Sequence, residues 1–193
     1  MQESPTLWYY PNNIGGGIGY VSQYFPLSVE LSVLSVSYQT SFLYTSDFIK
    51  RIQDDVTTHS VKIPLRVGYK IFDFKPFEIS VLGGYQLEFS SRTKGHISSG
   101  SEALIIGNTI LFESKYSTTL HNTVFHFAEI GADLSVKLSK KVSLYNRFAY
   151  QYGLTAIYSS DYTITDKSVV STATVNSNGN SWNYNFGLRF YIK

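Results

Sequence analysis

Residues 182–193 read W-N-Y-N-F-G-L-R-F-Y-I-K. Trp182, Tyr184, Phe186, Leu188, Phe190 and Ile192 alternate with Asn183, Asn185, Gly187, Arg189, Tyr191 and Lys193. Side chains along a strand point to opposite faces in turn, so a period of two over this length predicts a strand with one greasy and one polar face. The greasy face is aromatic, where a soluble sheet tends to carry aliphatic side chains. A strand that crosses a bilayer needs about 9–11 residues, apolar outside and polar inside, and this stretch supplies both. Trp182, Tyr184, Phe186 and Phe190 are the candidate membrane-interface aromatics. Trp182 and Tyr184 are expected toward the outer interface, and Phe190 with Ile192 toward the periplasmic one.

The pattern recurs along the chain. In Ser60–Phe72, Val61, Ile63, Leu65, Val67, Tyr69 and Ile71 oppose Lys62, Pro64, Arg66, Gly68 and Lys70. Pro76–Ser90, Phe125–Leu138 and Val142–Tyr158 repeat it. Ser4–Tyr10, Ile14–Tyr24 and Ser28–Phe42 read as strands less cleanly. In the last of these, Val29, Leu31 and Val33 fall out of phase with Leu34, Val36 and Tyr38, which predicts a bulge near Val33–Leu34. Connections are short at Phe25–Leu27, Phe72–Lys75 and Ser139–Lys141. They are long and rich in Ser, Thr, Asn and Gly at Thr45–His59, Ser91–Asn122 and Ser159–Ser181, with Pro11–Asn13 the one short link on that side. Short turns at one end and long loops at the other are the pattern of an outer-membrane barrel. The expectation is therefore all-β: one domain over 1–193, an eight-stranded antiparallel up-and-down transmembrane β-barrel with three long extracellular loops. The N-terminal strand around Thr6–Tyr10 should pair with the C-terminal one and remove the sheet edge. Within the loops, Ser46–Asp55 offers one or two helical turns. Leu104–Phe112 and Tyr162–Val175 read as strand-like pieces, the first either a loop hairpin or a further barrel strand.

Composition agrees with that class. Charged residues are 16% of the 193, below the roughly 25% usual for soluble domains, while aromatics reach 16% with 16 Tyr. Tyr suits a boundary with one dry side and one wet. A net charge of +2 is too small to imply nucleic acid. With no cysteine, disulfides, Cys-ligated metals and a lipobox-type anchor are excluded. No apolar run approaches the roughly 18–20 residues of a membrane helix. Met1-Gln2-Glu3-Ser4 reads as an initiator Met set before a mature N-terminus, so a secretion leader is expected to have been removed.

The polar face is charged with both signs. Lys62, Arg66, Lys70, Lys137, Arg147 and Arg189 stand against Glu78, Glu88, Glu129 and Asp133, with Glu30 as a fifth acid. A single sign would point to an ion path, whereas near balance points to pairing. If Leu138 opposes Val142, Asp133 opposes Arg147 and Glu129 opposes Gln151. If Lys70 opposes Glu78, Lys62 opposes Gln86, one step from Glu88. Directly opposed residues have Cβ atoms about 4.5–5.5 Å apart, so Lys62, Arg66, Lys70, Glu78, Glu88, Glu129, Asp133, Arg147 and Arg189 are expected to form a lumen charge network. Eight strands enclose an interior just wide enough for side chains to fill, which favours a plugged barrel over a conduit. A lipocalin-like soluble barrel would put the aromatic face inside and about ten charges outside, and the aromatic face is too continuous for that.

No catalytic constellation emerges. His59, His96 and His121 fall in loops, and His126, which opens a strand, has no nearby Ser to activate. The histidines lack zinc-ligand spacing. Asp54-Asp55 and Asp161 read as solvated loop acids. Gly15-Gly16-Gly17-Ile18-Gly19 is not a phosphate loop, because neither Lys-Ser/Thr nor a helix follows. No cofactor is expected.

Ser60–Ser90, Leu27–Val33 (L-S-V-E-L-S-V), Ala128–Leu138 (A-E-I-G-A-D-L-S-V-K-L) and Phe186–Lys193 (F-G-L-R-F-Y-I-K) together resemble the PorT-like outer-membrane β-barrel family of Bacteroidota. The likeness covers most of the barrel strands and none of the long loops. It implies an eight-stranded outer-membrane barrel, and some such proteins serve type IX secretion. One departure is the ending Ile192-Lys193, where barrel chains often end in an aromatic residue. The functional expectation is a non-enzymatic outer-membrane protein in contact with outer-membrane lipid, whose extracellular loops meet a partner membrane protein or surface ligand. A narrow channel for small solutes is the alternative, and a lipid-modifying enzyme using His126 the third reading.

Overall fold

In the computed structural model, the backbone is described over residues 6–8, 14–22, 24–44, 52–106, 109–166 and 169–190, and side chains over 14–22, 24–37, 57–101, 103, 113–165 and 169–190. The period-two segments are all strands, gathered into two antiparallel sheets of eight and four strands. The larger sheet holds β1 (Thr6–Trp8), β2 (Ile14–Val21), β3 (Leu27–Tyr44), β4 (Ile52–Phe74), β5 (Phe77–Ser90), β8 (Val124–Lys137), β9 (Val142–Gly153) and β12 (Ser181–Phe190). The smaller holds β6 (Gly95–Ile106), β7 (Thr109–Leu120), β10 (Tyr158–Asp166) and β11 (Val169–Ser177). Among the described residues no helix is long and apolar enough to cross a membrane.

The larger sheet runs β3-β4-β5-β8-β9-β12 and is curled. Both β1 and β2 lie along the outer edge of β3: Thr6–Trp8 pairs with Gln39–Ser41, and Ile14–Val21 pairs with Ser28–Ser35. The sheet is thus seven strands wide, with β12 at its other edge. The described part of the expected N-terminal strand sits beside β3 rather than beside β12. The rest of that strand and Pro11–Asn13 lie outside the described residues.

The three expected long loops are mostly strand. β4 begins at Ile52, well before its predicted start at Ser60, and pairs as a long hairpin with β3, which ends at Tyr44 just past its predicted limit. Ile52–Asp55, the end of the expected helical stretch, belongs to β4; the remainder of that stretch lies outside the described residues. Leu104–Phe112 is not a strand of the larger sheet. Its two ends belong to β6 and β7, which form a hairpin, and β10–β11 forms another; β7 and β10 pair to join them into the smaller sheet in the order β11-β10-β7-β6. These Ser- and Thr-rich stretches satisfy their backbone groups on one another, and β10 buries Tyr158, Tyr162 and Ile164 on one face.

No bulge occurs at Val33–Leu34. Leu31↔Leu65 and Leu34↔Lys62 keep one register, and the ladder merely lapses opposite Pro64, which has no N–H to give. Leu34 and Val36 break phase because they face inward at the hairpin end, where Val36 is buried. The real bulge is at Ile71, where the β4–β5 register shifts between Lys70 and Phe72. The turn itself pairs Asp73 with Glu78 and Phe74 with Phe77, so Glu78 does not oppose Lys70; with the one-residue shift at the bulge, Lys70 opposes Ser80 and Lys62 opposes Glu88 rather than Gln86.

The two faces of the curled sheet differ sharply. Val67, Ile130, Phe148, Trp182, Phe186 and Phe190 stand 50–69% exposed on the convex face. On the concave face Lys62, Arg66, Glu88, Glu129, Asp133 and Arg147 are all buried. That is the reverse of a water-soluble core.

Candidate functional site

The concave face stacks charged side chains in tiers. The register places every second residue of each strand there, and small residues leave the room. A Cβ on Gly187 would come within 3.0 Å of the Tyr145 ring, and one on Gly84 within 3.1 Å of Arg66 Cγ.

At the short-turn end Lys70 and Lys137 share two acids. Lys70 Nζ lies 3.0 Å from Glu78 and 3.2 Å from Asp73; Lys137 Nζ lies 3.2 Å from each. Hydrogen bonds from Lys70 and Lys137 hold the Asp73 carboxyl below its usual range.

Above it is a six-membered tier. Arg66 bonds Glu129 in a fork, Nε–Oε1 at 2.6 Å and Nη2–Oε2 at 3.1 Å, and reaches Glu30 at 3.1 Å. Arg147 makes two forks. It donates to Asp133 at 2.7 and 2.9 Å and to Glu30 at 2.9 and 2.8 Å. Arg189 donates to Asp133 at 3.0 Å and lies 3.6 Å from Glu30. Tyr145 sits between two of the guanidiniums, its ring centroid 4.8 Å from Arg189 and 5.5 Å from Arg147. Planar bidentate pairing explains why Arg and not Lys fills this tier.

The third tier is amide-rich. Lys62 lies 3.3 Å from Glu88, which also accepts from Ser60 at 2.6 Å. Gln151 accepts from Asn183 at 2.7 Å and from Lys62 at 3.4 Å.

Over this tier lies an apolar cap. Leu120, Phe125, Phe127, Ile157, Tyr158, Tyr162 and Ile164 form one buried cluster, drawn from β7, β8, β10 and the link before β10. Tyr158 Oη shares a 2.7 Å hydrogen bond with Thr58, and Lys62 Nζ stands 5.8 Å from the Phe127 ring centroid. The charged interior is thus closed at the hairpin end by hydrocarbon.

Within these tiers every named cation meets a carboxylate: Lys62, Arg66, Lys70, Lys137, Arg147 and Arg189 against Glu30, Asp73, Glu78, Glu88, Glu129 and Asp133. Asp73 is the member the sequence reading missed, because the Ile71 bulge flips the phase and turns a turn residue inward. Tyr145 and the cap were missed as well. The visible signal for the cap was that Phe125 and Phe127 share the phase of Glu129 rather than that of Ile130.

The aromatics cluster on the convex face. Trp182 stacks on Phe148 at 4.8 Å and 12° and leans on Tyr150 at 4.9 Å. Tyr184 donates to Asn146 at 2.6 Å. Phe148→Ala should remove about 0.5–1.5 kcal/mol beyond lost contact area. It should also change the Trp182 emission in a Trp8→Phe background, read by fluorescence-detected unfolding.

His126 points to the convex face, bonded to Tyr85. His96 is 3.2 Å from Ser117 on the smaller sheet. Among the described residues no group of three or more His, Asp or Glu side chains is placed to hold a metal ion. No known family model matches the sequence, and no curated protein matches it.

Proposed function

We propose that this chain is a small outer-membrane β-barrel, akin to the PorT-like family, that acts as a structural or interaction protein through its hairpin end. The observation that carries the reading is the inversion of the two faces. A charge-balanced network is buried on the concave side, and an apolar, aromatic surface covers the convex side. Water gives such a convex surface no reason to exist, whereas lipid does.

Strand parity sets what closure would require. β2 and β12, at the two edges, run in the same direction, because an odd number of antiparallel strands spans β2 to β12. All-antiparallel closure needs one more strand between them. Thr6–Trp8 lies along β3 in the same direction as β2, so the N-terminal segment would have to re-pair between β2 and β12 to supply it, which would make eight. A bilayer would drive this, since an open edge leaves backbone groups unpaired in hydrocarbon at several kcal/mol each. In this orientation the Lys70–Lys137 tier faces the periplasm, and the four-stranded sheet and the β3–β4 hairpin stand outside the cell. Paired charges below and an apolar cap above argue for a plugged barrel with no catalytic role.

The chain's lack of cysteine makes the test direct. Single-Cys variants at positions 128–134, labelled with bimane in vesicles, should be quenched by brominated acyl chains at 128, 130, 132 and 134. Those at 129, 131 and 133 should be spared. Uniform or absent quenching would sink the reading.

A further inference from the structure

β11 is the outermost strand of the smaller sheet, and among the described residues it pairs only with β10. Its other edge therefore presents backbone N–H and C=O groups at every second residue. Such an edge invites another strand, and natural sheets blunt it with charge, proline, bulges or brevity. β11 has none of these. It reads V-V-S-T-A-T-V-N-S over nine residues and pairs with β10 without a register shift. The opposite edge is different: β6 is kinked by register shifts at His96/Ser98 and at Leu104/Ile105, and it lies beside β4.

The side chains narrow the partner. On the outward face Val170, Thr172, Thr174 and Asn176 are all exposed, whereas Val175 on the other face packs toward the core cluster. Val169 and Val170 are 66% and 63% exposed. On the adjoining strand, the carboxylate of Asp161 is held by Thr174 Oγ1 at 2.6 Å. Among the described side chains of β11 a charged incoming strand would meet no counter-charge, while Thr–Thr and β-branched cross-strand pairs are favourable.

We propose that the free edge of β11 is a strand-addition site that takes an uncharged, extended segment of a partner polypeptide as a fifth strand. Main-chain hydrogen bonds would supply affinity and alternate side chains specificity. This rests on the reading of the hairpin end as the interaction surface.

The test uses the full chain in detergent micelles and a fluorescein-labelled nine-residue Thr/Val peptide with blocked termini. Saturable anisotropy is expected, with slowed hydrogen exchange confined to the amides of 169–177. Thr172→Lys and, independently, Val170→Lys should weaken binding at least tenfold, with folding of each variant checked by heat-modifiable gel mobility. A probe with Lys at alternate positions should not bind. Binding unchanged in both variants overturns the edge site yet leaves the hairpin end as an interaction surface; absence of saturable binding overturns both. If the chain alone sediments as a dimer that Thr172→Lys dissociates, the edge belongs to a second copy, and the partner-strand proposal fails.

Discussion

Arg147→Ala is expected to destabilise the folded protein by about 3–5 kcal/mol, the range for removing one member of a buried ion pair. Arg147 is 3% exposed and donates four hydrogen bonds to two carboxylates. Without it, Asp133 keeps Arg189, and Glu30 keeps Ser32, Arg66 and the more distant Arg189. The tier changes from three cations and three acids to two and three, so one negative charge loses its counter-ion where water is excluded. Arg147→Lys restores the charge but not the forks, because an ammonium cannot meet two planar carboxylates edge-on; it should recover part of the loss. Urea titration in detergent, followed by gel mobility and tryptophan emission, measures both variants. A loss below about 1 kcal/mol for Arg147→Ala would mean that the tier is hydrated, as solvent-exposed ion pairs are, and would remove the case for a closed interior.

How much of this was legible in the sequence depends on which physical signal each residue carries. Alternation gave the inward residues of β4, β5, β8, β9 and β12, because one face is apolar throughout and a strand cannot change faces without a bulge. Asp133 opposite Arg147 and Glu129 opposite Gln151 followed from one short turn, Ser139–Lys141. Lys62 opposite Glu88 did not, since the β4–β5 turn is tighter than expected, pairing Asp73 with Glu78, and the Ile71 bulge then shifts the register by one residue. The smaller sheet was hidden for another reason. Leu104–Phe112 and Tyr162–Val175 read as strand-like, but the many Ser and Thr residues between their apolar positions resemble loop sequence until the mutual pairing is seen. The cap was partly visible, because Phe125 and Phe127 break an otherwise polar face, but its partners Leu120, Ile157 and Tyr162 come from stretches that read as long loops. The N-terminal edge was the least legible feature. The N-terminal residues are weakly phased, and Thr6–Trp8 lies along β3 instead of β12.

Ile130→Arg carries the second large effect, and it separates a lipid-facing convex surface from a wet one. Ile130 is the fourth of the seven outward positions of β8, between Tyr150 on β9 and Gly83 on β5, and is 68% exposed. If the convex face meets lipid, position 130 lies near the bilayer midplane, and an Arg there should cost about 2–4 kcal/mol. Val136→Arg, on the same face but one residue from the end of β8, should cost only about 0–1 kcal/mol, because the side chain can snorkel to the headgroups. In water the order has no basis: both are surface substitutions, expected within about 0.5 kcal/mol of neutral. The measurement is reversible urea unfolding of the two variants in phospholipid vesicles, with detergent micelles as the comparison. Micelles deform around a charge more readily than a bilayer does, so the gap between the variants should narrow there. Equal, small effects at 130 and 136 in vesicles would show that depth along β8 has no energetic meaning. The convex aromatics would then need a protein partner rather than a membrane to cover them.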